Sequence, residues 1–179
     1  MKSRGLAEKA AEGCRESFSA LVEAYYPRIY RLAWRFCGSR TLSEDIAQDV
    51  CVKLATAIRS YRGEAAFSTW VWRITYTAAI DRLREAQGAQ NTEPAVIAAL
   101  ADASPDARAP SPEDDAMTKE LWLAVRRLPA QQRDAVLLVY GEDMSHAEAA
   151  AVMGCQEKTV SWHLHEAKKR LKIDLRAVG

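Results

Sequence analysis

Three histidines, four cysteines and a lysine-rich C-terminal stretch are the residues of this 179-residue chain best suited to chemistry. Cys155, His163 and His165 are the cluster that would suggest a metal. Residues two apart on a helix point about 200° away from each other, so His163 and His165 cannot share an ion unless the helix unwinds. No nucleophile and base pair is recognisable, and His146 reads as a surface residue inside a turn. Catalysis, a cofactor and a bound metal are therefore not expected. Cys14, Cys37, Cys51 and Cys155 contain no CxxC pair and are expected to be thiols, acting as small buried hydrophobes in a reducing compartment.

The C-terminal stretch offers binding chemistry instead. Ser145 and Glu148 form an S-x-x-E capping box that opens a short alanine-rich helix; Gly154 stops it, and a second helix starts near Glu157. Short helix, glycine turn and longer helix make the helix-turn-helix pattern, and Ala147 and Ala150 are small enough to let the two helices cross closely. Val160, Leu164, Ala167 and Leu171 form the buried side of the second helix, which turns Lys158, Trp162, His165, Lys169 and Lys172 outward. Residues 157–176 hold six bases against three acids, a local positive charge suited to a nucleic-acid backbone. Trp162 either contacts the groove or packs on a neighbouring helix.

The elements that position these residues divide by composition into two helical blocks. In the first, Phe18, Leu21, Val22, Tyr25, Ile29, Leu32 and Phe36 share one helical face, and Pro27 is expected to kink this helix or split it in two. Ser43 is expected to cap the next helix, with Ile46, Val50, Leu54 and Ala57 buried and Asp45, Gln48, Asp49, Val52, Thr56 and Arg59 facing outward. A loop from Gly63 to Ser68 follows. A third helix, about residues 69–85, is apolar over most of its surface except for a strip of Arg73, Thr77, Asp81 and Arg84 with Trp70 beside it. After residue 115, Leu121, Val125, Leu128, Ala135, Leu138 and Val139 indicate two more helices interrupted near Pro129.

Between the blocks, residues 86–116 carry one base and six acids among prolines and alanines, either a solvated spacer or a strand that lies in a basic channel of a partner. The whole chain balances 25 bases against 24 acids, so a nucleic-acid partner has to be argued from local patches. No segment approaches the roughly 18 to 20 apolar residues of a membrane span, and residues 1–21 lack the apolar core of a signal peptide, so a cytoplasmic protein is expected. The expected fold class is all-α: two small helical domains, residues 1–86 and 116–179, joined by a flexible acidic linker at 87–115.

Two separated stretches, from "ALVEAYYPRIYRLAWRF" through "SEDIAQDVCVKLATAI" to "YRGEAAFSTWVWRITYTAAIDRLR", and "LPAQQRDAVLLVYGEDMSHAEAAAVMGCQEKTVSWHLHEAKKRL", resemble the extracytoplasmic-function class of bacterial RNA polymerase sigma factors. The resemblance implies that Asp45, Gln48, Asp49 and Val52 dock on a coiled coil of the largest polymerase subunit. It implies that Gly63, Glu64, Phe67, Ser68, Trp70, Arg73 and Thr77 handle the minus-ten element as separated strand, unless Phe67 is a core plug. It further implies that Lys158, Thr159, Ser161, Trp162, His165, Lys168, Lys169 and Lys172 bind the minus-thirty-five element. The implied partners are RNA polymerase core, promoter DNA and an anti-sigma factor, without membrane insertion. Relatives often show Asn where this chain has Thr77 and basic residues at Tyr76 and Ala78. They often show Lys, Ser, Arg and Arg where it has Ser161, Trp162, His163 and Glu166, so the preferred promoter is expected to differ. An ordinary helix-turn-helix regulator is the rival; it predicts duplex binding by the free protein.

Overall fold

The computed structural model describes the chain at residues 2–88 and 116–178, with side-chain surroundings at 3–85 and 121–174. The expected linker, 87–115, falls almost wholly outside the described residues. The chain splits into two compact units, residues 1–107 and 108–179, and every regular element described is helical. The all-α expectation therefore holds.

Among the described residues the first unit has four α-helices: α1 (Lys2–Ala11), α2 (Arg15–Cys37), α3 (Arg40–Ala57) and α4 (Phe67–Gly88). The first of them was not expected from the sequence; it buries Ala7 and Ala10 and carries an exposed Arg4–Glu8 pair one turn apart. Helix α2 buries Leu21, Tyr25, Ile29, Leu32, Ala33 and Phe36 against α3 and α4. Contrary to the alternative of two helices, α2 runs unbroken past Pro27. Pro27 and Glu23, whose carbonyl loses its helical donor, both lie on the exposed side, where water can replace the missing bond.

The start of α3 also departs from expectation. Gly38 takes the left-handed conformation (φ 66°) that closes α2, and Ser39, next in the chain, caps α3 by accepting from the Leu42 amide at 3.4 Å. Ser43 lies one turn inside the helix, fully buried, donating to the Ser39 carbonyl at 2.6 Å with its hydroxyl 3.2 Å from Cys37 Sγ. A serine followed by two acids resembles a helix start, but the glycine turn five residues earlier sets it. The buried stripe is Ile46, Ala47, Val50 and Leu54, while Ala57 is only half-buried. After a 3-10 turn at Ile58–Ser60, a loop leads to α4. Helix α4 buries Phe67, Val71, Trp72, Thr75, Ala78 and Ala79. Buried Thr75 satisfies its hydroxyl on the Val71 carbonyl, 2.9 Å away.

In the second unit α5 (Ala116–Arg126) and α6 (Ala130–Val136) flank Pro129, as the sequence suggests. A π-helical turn at Leu137–Gly141 leads to α7 (His146–Met153) and α8 (Glu157–Val178). The capping box is complete: Ser145 Oγ accepts from the Glu148 amide at 3.2 Å, and Glu148 Oε2 accepts from the Ser145 amide at 2.9 Å. Gly154, left-handed at φ 68°, separates the two helices. Of the small residues on α7, Ala149 and Ala150 are buried, whereas Ala147, expected to let the helices cross closely, is exposed. Core residues from α5 to α8 include Val125, Leu128, Leu137, Leu138, Val152, Val160 and Leu164.

The cap and the turn have separable costs. Ser145→Ala removes the capping acceptor and should destabilise this unit by about 1 kcal/mol. Gly154→Ala meets nothing within 4 Å, so its cost should be the left-handed strain alone, roughly 1–2 kcal/mol. Urea titration of the full chain, with amide exchange in α7 as the local readout, checks both values.

Candidate nucleic-acid interface

Helix α8 has two sides of opposite character. Val160, Leu164 and Ala167 are buried, whereas Lys158, Trp162, His165, Lys168, Lys169 and Lys172 are exposed. Trp162 is 57% exposed and its ring meets that of His163 at an angle, with centroids 5.0 Å apart on the same helix; that exposure argues against packing on a neighbouring helix. Thr159 is half-buried and Leu171 is at the margin of the core. Two lysines are already engaged: Lys169 donates to Glu166 at 2.9 Å, holding that carboxyl below its ordinary pKa, and Lys168 lies 5.5 Å over the ring of half-exposed Tyr140. Ser161, exposed, lies 2.9 Å from His146 Nδ1 and faces the Glu157 carbonyl at 3.2 Å.

A second surface is built on aromatic packing at the start of α4. Phe67 is edge-on to Tyr25 at 5.3 Å and to Tyr61 at 5.4 Å, and tilts against Trp70 at 5.6 Å. Tyr61 is buried and donates to the Ala65 carbonyl at 2.9 Å, which pins the loop's far end; burial pushes its phenol pKa up. Gly63 supplies the left-handed bend (φ 71°) in between. Glu64, Ala65 and Ala66 are exposed at the tip, Ser68 and Trp70 half-buried, and Arg73 and Thr77 exposed along α4. Arg28 from α2 stacks over Trp72 at 5.0 Å, adding a cation to this side.

On the outer face of α3, Asp45, Gln48 and Val52 are exposed, Val52 at 64%. Asp49 is not free there. Arg82 of α4 donates to Asp49 Oδ2 from Nε at 3.0 Å and from Nη2 at 2.6 Å, and this pairing raises the Arg82 pKa. Among the described residues no cluster of three or more His, Cys, Asp or Glu could hold a metal ion. No described helix is long and apolar enough to cross a membrane.

Two family models match the chain, Sigma-70 region 2 over residues 21–88 and Sigma-70 region 4 over residues 118–171. The ECF RNA polymerase sigma factor SigM of Mycobacterium tuberculosis is 32% identical over 159 residues, covering 89% of this chain and 77% of the relative. The chain belongs to the ECF, or extracytoplasmic-function, class of RNA polymerase sigma factors. SigW of Bacillus subtilis is 28% identical, with 94% of each chain covered, and the sigma-E factor of Escherichia coli K12 is 29% identical over 93% of this chain and 90% of the relative. Among solved structures, CnrH in complex with the cytosolic domain of CnrY aligns with a TM-score of 0.74 at 24% identity over 99% of both chains. The sigma factor RpoE in complex with the anti-sigma factor NepR, from Bartonella quintana, aligns with a TM-score of 0.69 at 22% identity, covering 90% of this chain and 98% of that one. These two likenesses establish the fold.

Within this sigma factor the expected site residues separate into exposed and enclosed ones. Phe67 was expected to handle DNA; at 5% exposure among three rings it shapes the loop from below. Sequence reading also missed the Arg82–Asp49 bridge, the Tyr140–Lys168 stack and the His146–Ser161 bond, which join residues 33, 28 and 15 positions apart on different elements. Local periodicity carries no signal for such pairs. Phe67→Ala should cost about 3–5 kcal/mol of stability, as deletion of a buried aromatic does. Arg73→Ala, on the exposed strip, should stay within about 0.5 kcal/mol. Equilibrium unfolding of both variants tests the division.

Proposed function

We propose that this ECF sigma factor binds RNA polymerase core through the outer face of α3, opens promoter DNA with the 61–66 loop and the exposed strip of α4, and reads the upstream promoter element with α8. The observation that carries this reading is the placement of the two sigma-70 matches, in order, on two separate helical units. Residues 1–86 are assigned to core binding and the minus-ten element, 116–179 to the minus-thirty-five element, and the acidic stretch 87–115 to a linker that lies in a basic polymerase channel. The reaction's place is the cytoplasm, where polymerase meets DNA. CnrH and RpoE were solved with CnrY and the anti-sigma factor NepR bound, which supports an anti-sigma partner for this chain as well. An ordinary helix-turn-helix regulator would account for α7 and α8 and leave the region 2 match without a role.

Geometry supports the division of labour on α8. Promoter affinity comes chiefly from phosphate contacts, whereas preference comes from side chains at base edges. Lys158, Trp162 and His165 project from the first three turns, and the start of a recognition helix lies deepest in the major groove. Lys168, Lys169 and Lys172 follow in the later turns, within reach of the backbone. On α3, a single exposed valine beside Asp45 and Gln48 suits a partner helix of leucine and arginine.

Val52→Asp should leave helix content unchanged while weakening core binding by at least about tenfold, ~1.4 kcal/mol. Fluorescence titration of labelled protein with core enzyme measures this, and wild-type affinity in the variant would remove α3 from the interface. For α8, initiation by reconstituted holoenzyme on promoters randomised only upstream separates the two roles. Trp162→Ala and His165→Ala should reorder the preferred sequences. Lys169→Ala should lower activity on all of them alike and reduce the dependence on salt. An unchanged ranking with both aromatic variants would rule out base reading by these residues.

A further inference from the structure

Helix α1 lies outside the region 2 match, which starts at residue 21, yet it reaches the loop between α3 and α4. It packs against α2 and the 3-10 turn, and also meets α4. Arg4, in its first turn, lies against Gly63: a Cβ placed on that glycine would stand 3.5 Å from Arg4 Nη2 and 3.9 Å from Nε. The guanidinium therefore covers bare backbone at the bend of the 61–66 loop. Its charge is felt at Tyr61, whose phenol pKa burial raises, Arg4 draws back and Glu8 pushes up again.

Helix stability does not explain a cation at this position. The first turn of a helix is its positive end, where a basic side chain is unfavourable. Arg4 also precedes Glu8 by four positions, the weaker of the two orders for such a pair. Glu8 accepts from Nε at 3.1 Å, and among the described residues neither Nη nitrogen makes a hydrogen bond. With its side chain 68% exposed, Arg4 offers that pair of donors to an outside acceptor. Arg62, also exposed, adds a second cation to a loop whose only acid is Glu64. The acceptor that suits a planar fork of donors in a basic setting is a phosphate.

We propose that Arg4 is a further contact for the separated promoter strand, donating from its Nη nitrogens to a backbone phosphate of the nucleotide held at the 61–66 loop. Such a contact positions the strand and carries no base information, so preference stays with the loop and the α4 strip. This inference rests on the loop handling the minus-ten element.

The test uses holoenzyme reconstituted from core polymerase and the full chain. It is bound to a promoter whose minus-ten segment is already unpaired, so that strand contact is measured apart from melting. R4Q should weaken binding about fivefold on every minus-ten sequence, the upper range for an exposed ion pair. The slope of log affinity against log salt should become shallower by about 0.7, the increment for one phosphate of a single strand. R4K keeps the charge and should keep most of that slope. Replacing one phosphate at a time in the unpaired segment by neutral methylphosphonate should reveal a position at which wild type falls to the R4Q level and R4Q loses nothing further. The slope and the phosphate scan each compare salt or DNA within one protein, so both decide the question even should R4Q melt below wild type. Wild-type affinity or an unchanged slope in R4Q would overturn the proposal. So would an R4Q deficit that persists at every neutralised phosphate, which would make polymerase the partner of Arg4. A scrambled minus-ten element bound as tightly by wild type would instead fail the assignment of the loop, and the proposal with it.

Discussion

Burial of Val160, Leu164 and Ala167 on one side of α8 removes that helix's freedom to turn about its axis, and the outward chemistry of the second unit depends on this. A rotation by one residue, about 100°, would bring Val160 and Leu164 toward water and drive the side chains of Ser161 and His165 into the core. Each large aliphatic side chain so exposed would forfeit roughly 1.5–3 kcal/mol, and the polar groups entering the core would have no partners there. The same reasoning fixes α3, where fully buried Ile46, Ala47 and Val50 leave Asp45, Gln48 and Val52 facing outward. Apolar residues that touch no ligand thus set which residues can.

Where the helical period alone decides, the sequence was sufficient. The outward set on α8, the strip Arg73, Thr77, Asp81 and Arg84 on α4, and the Ser145–Glu148 capping box follow from spacing and cap chemistry, and the structure has them so. Ser43 shows where such reading ends. Its type and its acidic neighbours fit a helix start, but the fold used Ser39 because Gly38 had already turned the chain. Phe67 shows a second limit. An aromatic residue in a loop next to a candidate strand-opening site invites a contact role, and only the positions of Tyr25 and Tyr61, from two other segments, show that the ring is enclosed. The contact roles themselves came from resemblance to a family, since periodicity says which side chains are exposed and not what they meet.

Two exposed faces are also modified by pairs that cross between helices. On α3, Arg82 holds Asp49, so the carboxylates free to meet a basic partner there are fewer than the sequence suggests. With its side chain 39% exposed, Arg82 also places a cation at the margin of the same face. A partner helix docking on Val52 would meet a surface of mixed sign, in which the apolar side chain supplies contact area and the charges set orientation more than affinity.

Along α8 the charges are unevenly placed, and this bears on how promoters are distinguished. In its first two turns Lys158 is the one lysine or arginine, whereas Lys168, Lys169, Arg170 and Lys172 follow within five positions. Positive charge is therefore concentrated in the later turns of the helix, and Glu166 tempers one of those lysines. The turns before those lysines carry Thr159, Trp162 and His165, which bring hydrogen-bonding and apolar groups in place of fixed charge. Contacts of that kind release few counterions, so changing salt should alter overall affinity through the lysines while leaving the order of preferred sequences to neutral contacts. In the docking proposed for α8, affinity and selectivity reside in different turns of one helix, and the buried face of that helix keeps the two in register.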